Sequence, residues 1–291
     1  MSINLRGSFR MPNSIIHTLT EVEKDGPEDL SGLAVVVLLG MFSKIDSKAP
    51  GEYVYTNFSN LMESIGEIKS CSMGTVIATS GRGYDRFSPK TFKDIKGIID
   101  LIFNIRYCKI KPGSSGYKES WLPVFTEYGY EYRSKEGAYD LDNLPEDLER
   151  VNACEWCDRP IYKVRKKSGK YLAPCRFFFR LEPGLVAEIG AGKNTLYFTR
   201  ISGKIFSLLK KLGRTKTMVR LVLLILRQTK GTFNRRLGKL LGNLGFDFTH
   251  KSESISYLNR MLEDLKSEQL IRDFNIEGDS LSIEWNKNFF F

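Results

Sequence analysis

The chain has 291 residues, of which 42% are hydrophobic and 27% charged, and its formal net charge is +10. This length suits two domains of ordinary size, and the composition excludes a disordered tail protein because it is rich enough in apolar residues to form buried cores. No apolar run approaches the roughly 20 residues that a membrane-spanning helix needs, and Met1–Arg10 lacks the features of a secretion signal, so we expect a cytoplasmic, bacterial protein.

The N-terminal region begins with three predicted helices. The apolar run inside Asp29–Ile45 predicts the first helix, and Thr56–Ile65 predicts a shorter second one. Ser88 and Pro89 indicate the start of a third helix, because serine is a favoured N-cap and proline suits the first helical position.

Two strand-like runs, Ile105–Lys111 and Trp121–Tyr128, follow the third helix. A Gly-Ser-Ser-Gly turn separates them, as in a β-hairpin. Three helices and a hairpin predict a winged-helix-like domain over residues 1–135. Gly66–Phe87 departs from that plan, because it inserts 22 residues where winged helices have a short turn.

Residues 136–198 predict a connector that contains strands. Its first part, Gly137–Arg150, is acidic. The strand-like runs that follow are Tyr162–Lys167, Tyr171–Leu181 and Thr195–Thr199. A helix over Thr199–Leu212 would then lead into a C-terminal domain that spans residues 199–291.

The C-terminal domain has the clearest pattern in the chain. Arg214–Gln228 is apolar almost all round and predicts a first, buried helix, and Thr232–Leu244 predicts a second helix. Ser252 is a good N-cap for a third helix, and two alternating runs around Gly278 and Asp279 predict a β-hairpin. The sequence therefore predicts an α+β protein with two winged helix-turn-helix domains in tandem, joined by a strand-containing connector.

Positive charge is concentrated in one part of the chain. Arg159–Leu240 holds 21 Lys and Arg residues and two acidic residues, a net charge of +19, which leaves −9 for the rest of the chain. Such asymmetry is expected of a protein that binds a polyanion, whereas a solvated basic face on an enzyme is the alternative. Because the basic block overlaps the predicted C-terminal winged helix, we favour double-stranded DNA as the partner.

In a winged helix, the N-terminal half of the third helix faces base edges in the major groove. Serine, asparagine and arginine suit base readout, and basic residues of the second helix and the wing suit phosphate contacts. The predicted C-terminal DNA-binding residues are Arg235, Arg236, Lys239, Lys251, Ser252, Ser254, Ser256, Tyr257, Asn259, Arg260 and Arg272. The alternative is a solvated helix face in a domain that binds protein.

A second, weaker set of DNA-binding candidates lies in the N-terminal unit. Its members are Lys90, Thr91, Lys93, Lys96, Lys109 and Lys111, with Arg106 and Lys118 also in the predicted hairpin. Asp94 and Asp100 dilute the positive charge of the helix face, so DNA contact by this unit stays open.

The sequence offers no catalytic constellation. Gly190–Thr195 looks like a phosphate-binding loop, but a Walker loop needs glycine at the position of Ala187 and Ser or Thr at that of Asn194. The two histidines, His17 and His250, lie too far apart in sequence for the His-hydrophobic-His motif of a nickase. We therefore expect a protein that is not an enzyme and uses no cofactor.

Cys154 and Cys157 have the spacing of half a zinc site. Cys175 could be a third ligand, and Cys108 would have to be the fourth, because a structural zinc needs four ligands. With five cysteines and no second pair of this spacing, we favour the alternative of two partly buried thiols and expect no metal.

Two winged-helix units joined by a connector, without ATPase or nuclease motifs, resemble the iteron-binding replication initiators of plasmids. The resemblance is carried by Leu196-Tyr197-Phe198-Thr199-Arg200, by Ile205–Leu212 and by the C-terminal winged helix. In those initiators a similar aromatic-Thr-Arg stretch enters the second domain. The insertion Gly66–Phe87 and the irregular N-terminal hairpin depart from the family.

The resemblance implies a non-enzymatic mechanism. Copies would bind direct repeats at an origin, help to open a neighbouring A·T-rich stretch and recruit host helicase or initiator proteins. It also implies a homodimer or a monomer–dimer equilibrium. Two alternatives are a winged-helix transcription regulator, which would use inverted half-sites, and a winged-helix factor that binds protein.

Overall fold

The computed structural model shows an α+β protein. It describes residues 7–21, 30–66, 89–113, 116–131, 148–153, 160–164, 176–191, 197–228, 231–246, 251–286 and 289. None of the helices in these ranges is long and apolar enough to cross a membrane.

The helices and strands are numbered in chain order. The helices are α1 (Asn13–Glu21), α2 (Gly32–Phe42), α3 (Phe58–Ser64), α4 (Pro89–Phe103), α5 (Pro183–Gly190), α6 (Lys204–Leu212), α7 (Lys216–Leu226), α8 (Leu237–Leu244) and α9 (Lys251–Ser267). The strands are β1 (Ser8–Pro12), β2 (Val54–Thr56), β3 (Arg106–Gly113), β4 (Gly116–Pro123), β5 (Phe125–Glu131), β6 (Leu148–Ala153), β7 (Pro160–Val164), β8 (Arg176–Leu181), β9 (Phe198–Ser202), β10 (Thr232–Arg236), β11 (Ile271–Glu277) and β12 (Ser280–Trp285).

The three helices predicted in the N-terminal region are confirmed as α2, α3 and α4. Helix α2 starts at an N-cap, where the hydroxyl of Ser31 accepts a hydrogen bond from the backbone N–H of Ala34 at 3.2 Å. Its sequence is apolar all round because it is buried all round, between α3, α4 and α7. Gly32 starts α2 so close to the connection between α6 and α7 that an added Cβ would lie 2.0 Å from the carbonyl oxygen of Arg214.

The predicted N-terminal hairpin is present, but its second run is two strands. Strands β3 and β4 pair from Arg106 and Pro123 to Gly113 and Gly116. Strand β4 ends at Pro123, and β5 begins after Val124. Strand β5 leaves the hairpin and pairs with β8, which also pairs with the short strand β2. The resulting sheet, in the order β2-β8-β5, uses a strand from the predicted connector to complete the N-terminal core.

In the C-terminal region, the prediction of one helix over Thr232–Leu244 is wrong in its first part. Thr232–Arg236 is strand β10, and the helix α8 begins only at Leu237. The cause is tertiary, because β10 pairs with β12 and so buries Phe233 on the sheet side rather than on a helix face. The three strands lie in the order β10-β12-β11, and α9 contacts β11.

The start of the chain and the predicted connector form a junction that the sequence did not reveal. Strand β1 pairs with β9, and α1 packs against both β3 and α7. The prediction of a helix over Thr199–Leu212 is therefore wrong in its first part. Phe198–Ser202 is strand β9, and helix α6 starts at Lys204. Buried residues from Phe9 to Ile283 belong to one continuous hydrophobic cluster. The division at residues 135 and 198 stays a prediction.

Several sequence predictions lie outside the described residues. They concern nearly all of the insertion Gly66–Phe87, most of the acidic stretch Gly137–Arg150, and the cysteines Cys154, Cys157 and Cys175. Of the loop-like stretch Gly190–Thr195, Gly190 ends helix α5 and Ala191 is its C-cap, and the rest lies outside the described residues.

Candidate nucleic-acid interface

Helix α9 is amphipathic along its whole length. Its inward residues are Ser254, Leu258, Met261, Leu262 and Leu265, which recur at helical spacing and are buried against the core. At 100° per residue, the opposite face is centred on Ser252, Ser256, Asn259 and Arg260, which are all exposed. The N-terminal half of α9 therefore presents hydrogen-bonding side chains to solvent.

Six of the predicted DNA-binding residues on α9 are exposed: Lys251, Ser252, Ser256, Tyr257, Asn259 and Arg260. Ser254 is a correction, because only 7% of it is exposed and it faces the core. It sits one turn before Leu258 on the buried stripe, so it cannot touch a ligand on the outer face. The three serines alternate along the sequence, and their residue type alone did not show that Ser254 is buried whereas Ser252 and Ser256 are exposed.

Tyr257 occupies one flank of the exposed face. Its ring is 42% exposed and meets the ring of Phe246 edge-on, with the ring centroids 5.7 Å apart. This contact orients the phenol group beside the N-terminal half of α9. An aromatic ring with a hydroxyl at its tip can contact both an apolar base edge and a phosphate oxygen.

The predicted phosphate-binding residues of the second helix are divided between two elements. Arg235 and Arg236 lie at the end of β10, and Lys239 lies in the first turn of α8. Arg236 and Lys239 are exposed, whereas Arg235 is half-buried with its guanidinium carbon 5.7 Å from the centre of the Phe233 ring. Two exposed cations are thus held next to the start of α8.

The turn of the β11–β12 hairpin reaches this same place. Asp279 accepts two hydrogen bonds at the start of α8: its backbone carbonyl from the N–H of Leu237 at 2.8 Å, and its carboxylate from the N–H of Gly238 at 3.2 Å. Asp279 therefore acts as the cap that the first turn of α8 otherwise lacks. Asp279 thus links the turn of the hairpin to the first turn of α8.

The outer surface of the hairpin is acidic. Its acidic residues are Asp273, Glu277, Asp279 and Glu284. Arg272, which we predicted to hold phosphate, has its guanidinium 3.1 Å from the carboxylate of Glu284. Lys266 lies 2.8 Å from Asp273, and this hydrogen bond raises the pKa of Lys266 and lowers that of Asp273. This hairpin is less suited to phosphate contact than α9 and α8.

Of the N-terminal candidates, Lys96 and Lys109 are half-buried in the structure. Lys96 pairs with Asp100 at 2.7 Å and lies 4.5 Å from the centre of the Tyr130 ring. Lys109 faces Gly184 at the start of α5. Burial raises the pKa of Glu188 near the end of the same helix, and the charge of Lys109 offsets only part of that rise. Both are therefore engaged in the fold, and DNA contact by them is not supported. The side chains of Lys90, Thr91, Lys93, Lys111 and Lys118 lie outside the described part, and Arg106 is exposed.

Two basic residues on α7 were not predicted as part of the site. Arg220 donates a hydrogen bond to the carbonyl of Asn243 at 3.4 Å, close to the end of α8, and Lys216 lies one turn before it. Burial lowers the pKa of both groups, and the charge of Arg220 lowers that of Lys216 further. Their place in a basic block was visible in the sequence, but their position beside the end of α8 was not.

A buried polar cluster lies at the junction of α1, β3 and α5. Tyr107 is fully buried and donates a hydrogen bond to the carboxylate of Glu182 at 2.7 Å, and both burial and Glu182 raise the pKa of Tyr107. Glu188 accepts hydrogen bonds from the backbone N–H and the hydroxyl of Ser14, while burial raises the pKa of Glu188. These hydrogen bonds tie β3 and α1 to the two ends of α5, so both carboxylates stabilise the fold.

No group of metal-ligating side chains is found among the described residues. Cys108, which would complete a zinc site with the other cysteines, is buried in β3. Burial and the charge of Glu119 raise the pKa of the Cys108 thiol.

No protein-family model matches the chain, and no curated protein matches it in sequence. Among solved structures, the chain is similar to two crystal structures of domains 2 and 3 of RctB, the second of selenomethionine derivatives. The first has a TM-score of 0.46 at 11% identity and covers 88% of this chain and 83% of that chain. The second has a TM-score of 0.48 at 10% identity and covers 87% of this chain and 81% of that chain.

Proposed function

We propose that the protein is a non-enzymatic, sequence-specific double-stranded DNA-binding protein that acts as a plasmid-type replication initiator. The observation that carries this proposal is the exposed polar face of α9, where Ser252, Asn259 and Arg260 stand clear of the core. Arginine can bind guanine with two hydrogen bonds, and asparagine can do the same with adenine. The N-terminal half of α9 would thus be the part that enters the major groove.

The order of elements around α9 supports a winged helix-turn-helix assignment for the C-terminal unit. Helix α7 is followed by β10, then by α8 and α9, and then by the hairpin β11–β12. Strand β10 pairs with β12, so β10, β12 and β11 form one small sheet, which α9 contacts through β11. A winged helix has this arrangement, in which a short strand after the first helix joins the wing.

Exposed cations at the starts of α8 and α9 supply a route to affinity that does not depend on base sequence. Arg236 and Lys239 flank the start of α8, and Lys251 begins α9. Contacts from lysine and arginine to phosphates release counterions, which gives most of the affinity of DNA-binding proteins and makes it depend on salt. The hairpin carries four acidic residues, so we assign phosphate binding to Arg236, Lys239 and Lys251 rather than to Arg272.

The initiator role rests on the resemblance carried by Leu196–Arg200 and on the second helical unit. Helix α2 of the N-terminal unit packs against α7 of the C-terminal unit, so the N-terminal unit would be carried along with the DNA-reading helix α9. A transcription regulator could use the same α9 face. The two roles differ in the arrangement of binding sites, because direct repeats suit an initiator and inverted repeats suit a symmetric dimer.

A binding selection tests the proposal. The purified full chain is offered random duplexes and fragments that flank its own gene, at two salt concentrations. Directly repeated sites beside an A·T-rich stretch support an initiator, and an inverted repeat over a promoter supports a regulator instead. If no sequence is selected at either salt, the DNA-reading role of α9 is wrong.

A matched set of variants assigns the contacts. Replacing Arg236 and Lys239 with alanine should weaken binding to all duplexes alike and flatten the slope of log Kd against log salt by about 0.9 for each lost contact. The control is Lys48→Ala, which removes an exposed charge in a loop of the N-terminal unit. A loss confined to one base sequence would contradict a phosphate-binding role for the pair.

A further inference from the structure

The two-stranded ribbon of β1 and β9 places two arginines directly opposite each other. In its register, Arg10 is the partner of Arg200. Partners across an antiparallel ribbon lie about 5 Å apart at Cα and point to the same face. Arg10 is half-buried and Arg200 is exposed, so the outward face of the ribbon carries two arginines at directly opposed positions.

Arg10 is held in place by neutral groups. Its guanidinium donates a hydrogen bond to the backbone carbonyl of Ile189 at 2.6 Å, at the end of α5. The same group lies over the ring of Phe198, with 4.4 Å between the guanidinium carbon and the ring centre. This packing orients Arg10 but leaves its positive charge in place, because neither partner is an anion.

A like-charged pair directly across a ribbon is unfavourable by itself. Among the described residues, neither arginine forms an ion pair with a carboxylate. Arg200 is exposed, and a Cβ built on Gly190, next to the Ile189 carbonyl that Arg10 contacts, would meet no atom within 4 Å. Ser8 is exposed on the same face of β1, and Tyr197, just before β9, is 50% exposed. Guanidinium groups are the donors that suit a phosphate best, because they bind its oxygens with two parallel hydrogen bonds.

We propose that Arg10 and Arg200 form a second DNA contact, which binds a backbone phosphate of the duplex outside the α9 site. This inference rests on the proposed function, because it assigns the phosphate to the same DNA. Bound phosphate would offset the repulsion between the two charges, so the pair would be less stable without DNA than with it. Arg200 binds the phosphate directly, and Arg10 is already oriented by Ile189 and Phe198.

Charge reversal at Arg200 separates this role from a structural one. In Arg200→Glu, an opposite-charge pair with Arg10 replaces the repulsion, so the Tm of the free protein should rise. The same change places a carboxylate where the phosphate would lie, so duplex binding should weaken and the salt slope should fall by about 0.9. Arg200→Lys keeps the charge and should retain the slope. Lys48→Glu reverses an exposed charge elsewhere and corrects for the change in net charge.

The experiment measures Tm, and Kd for a selected duplex over a range of salt concentrations, for the full chain and these variants. A higher Tm with a lower salt slope in Arg200→Glu, beyond the change in Lys48→Glu, is the expected result. An unchanged salt slope in Arg200→Glu would overturn the inference, and so would stabilisation of the wild type by inorganic phosphate alone with no effect of Arg200 on duplex binding. If the wild type selects no duplex, the proposed function itself has failed, and this outcome is distinct from both.

Discussion

The carboxylate of Asp279 accepts a hydrogen bond from the backbone N–H of Gly238 at 3.2 Å, and so joins the turn of the β11–β12 hairpin to the first turn of α8. We expect Asp279→Ala to lower the free energy of unfolding by about 1 kcal/mol, as the loss of an N-cap usually does. Asp279→Asn keeps an acceptor and should lose less. Urea denaturation checks this, with Glu277→Ala as the control, and equal losses in the two alanine variants would contradict the capping role.

The hydrogen bond between Tyr107 and Glu182 should stabilise the junction of β3 and α5. Tyr107→Phe removes one donor and leaves the Glu182 carboxylate with the backbone N–H of Leu185, which donates to it at 3.2 Å, so we expect a loss of about 1 kcal/mol in the free energy of unfolding. Tyr128→Phe is the control, because Tyr128 is 44% exposed and its hydroxyl lies 3.4 Å from its partner Asn104. Similar small effects in both variants would mean that the Tyr107 contact adds nothing.

Glu188 should make stability depend on pH in the acidic range. Burial raises its pKa in the folded state, so the folded protein holds this proton at a pH where the unfolded chain has released it. Its contribution is therefore present below the ordinary pKa of about 4.3 and is lost as pH rises through the higher folded pKa. Glu188→Gln should flatten this slope, measured by denaturation at several pH values, whereas Glu263→Gln on the exposed face of α9 should not.

Gly32 and Gly97 should respond in opposite ways to replacement by alanine. A Cβ at Gly32 would lie 2.0 Å from the backbone oxygen of Arg214, so α2 would have to move away from α7, at a cost of about 3 kcal/mol or more. Gly97 lies in the exposed part of α4 with no atom within 4 Å of the added Cβ. Gly97→Ala should gain about 1 kcal/mol from helix propensity. Thermal unfolding of both variants checks the sign of each change.

Arg260 should contribute to discrimination between DNA sequences, whereas Ser254 should not. Arg260→Ala removes an exposed side chain from the reading face, so it should cost about 1–3 kcal/mol in discrimination between a selected site and the same site with one base pair changed. Ser254→Ala lies on the buried side of α9 and should leave this discrimination unchanged. Kd values for both duplexes check it, and a loss of discrimination in Ser254→Ala alone would contradict the face that we assign.

The sequence by itself determined most of the helices. The apolar run at Asp29–Ile45 and the Gly-Asp turn of the hairpin are local patterns, and α2 and the β11–β12 hairpin appear where these patterns lie. Helix α9, expected from an N-cap at Ser252, begins one residue earlier, at Lys251. Hydrophobic periodicity reports which side of an element is buried, and turn residues report where it ends. The same periodicity predicted which residues of α9 are exposed, but it wrongly included Ser254, which is buried.

Only the tertiary structure decided which strands pair and which charges stay exposed. Thr232–Arg236 became a strand because β12 lies beside it, and Arg176–Leu181 joined the N-terminal sheet across more than a hundred residues of chain from β2. Pairing of this kind depends on contacts distant in sequence, which no local pattern records. For the same reason the weaker candidates Lys96 and Lys109 are engaged with Asp100, Tyr130 and the start of α5, whereas Arg10 and Arg200 meet across a ribbon.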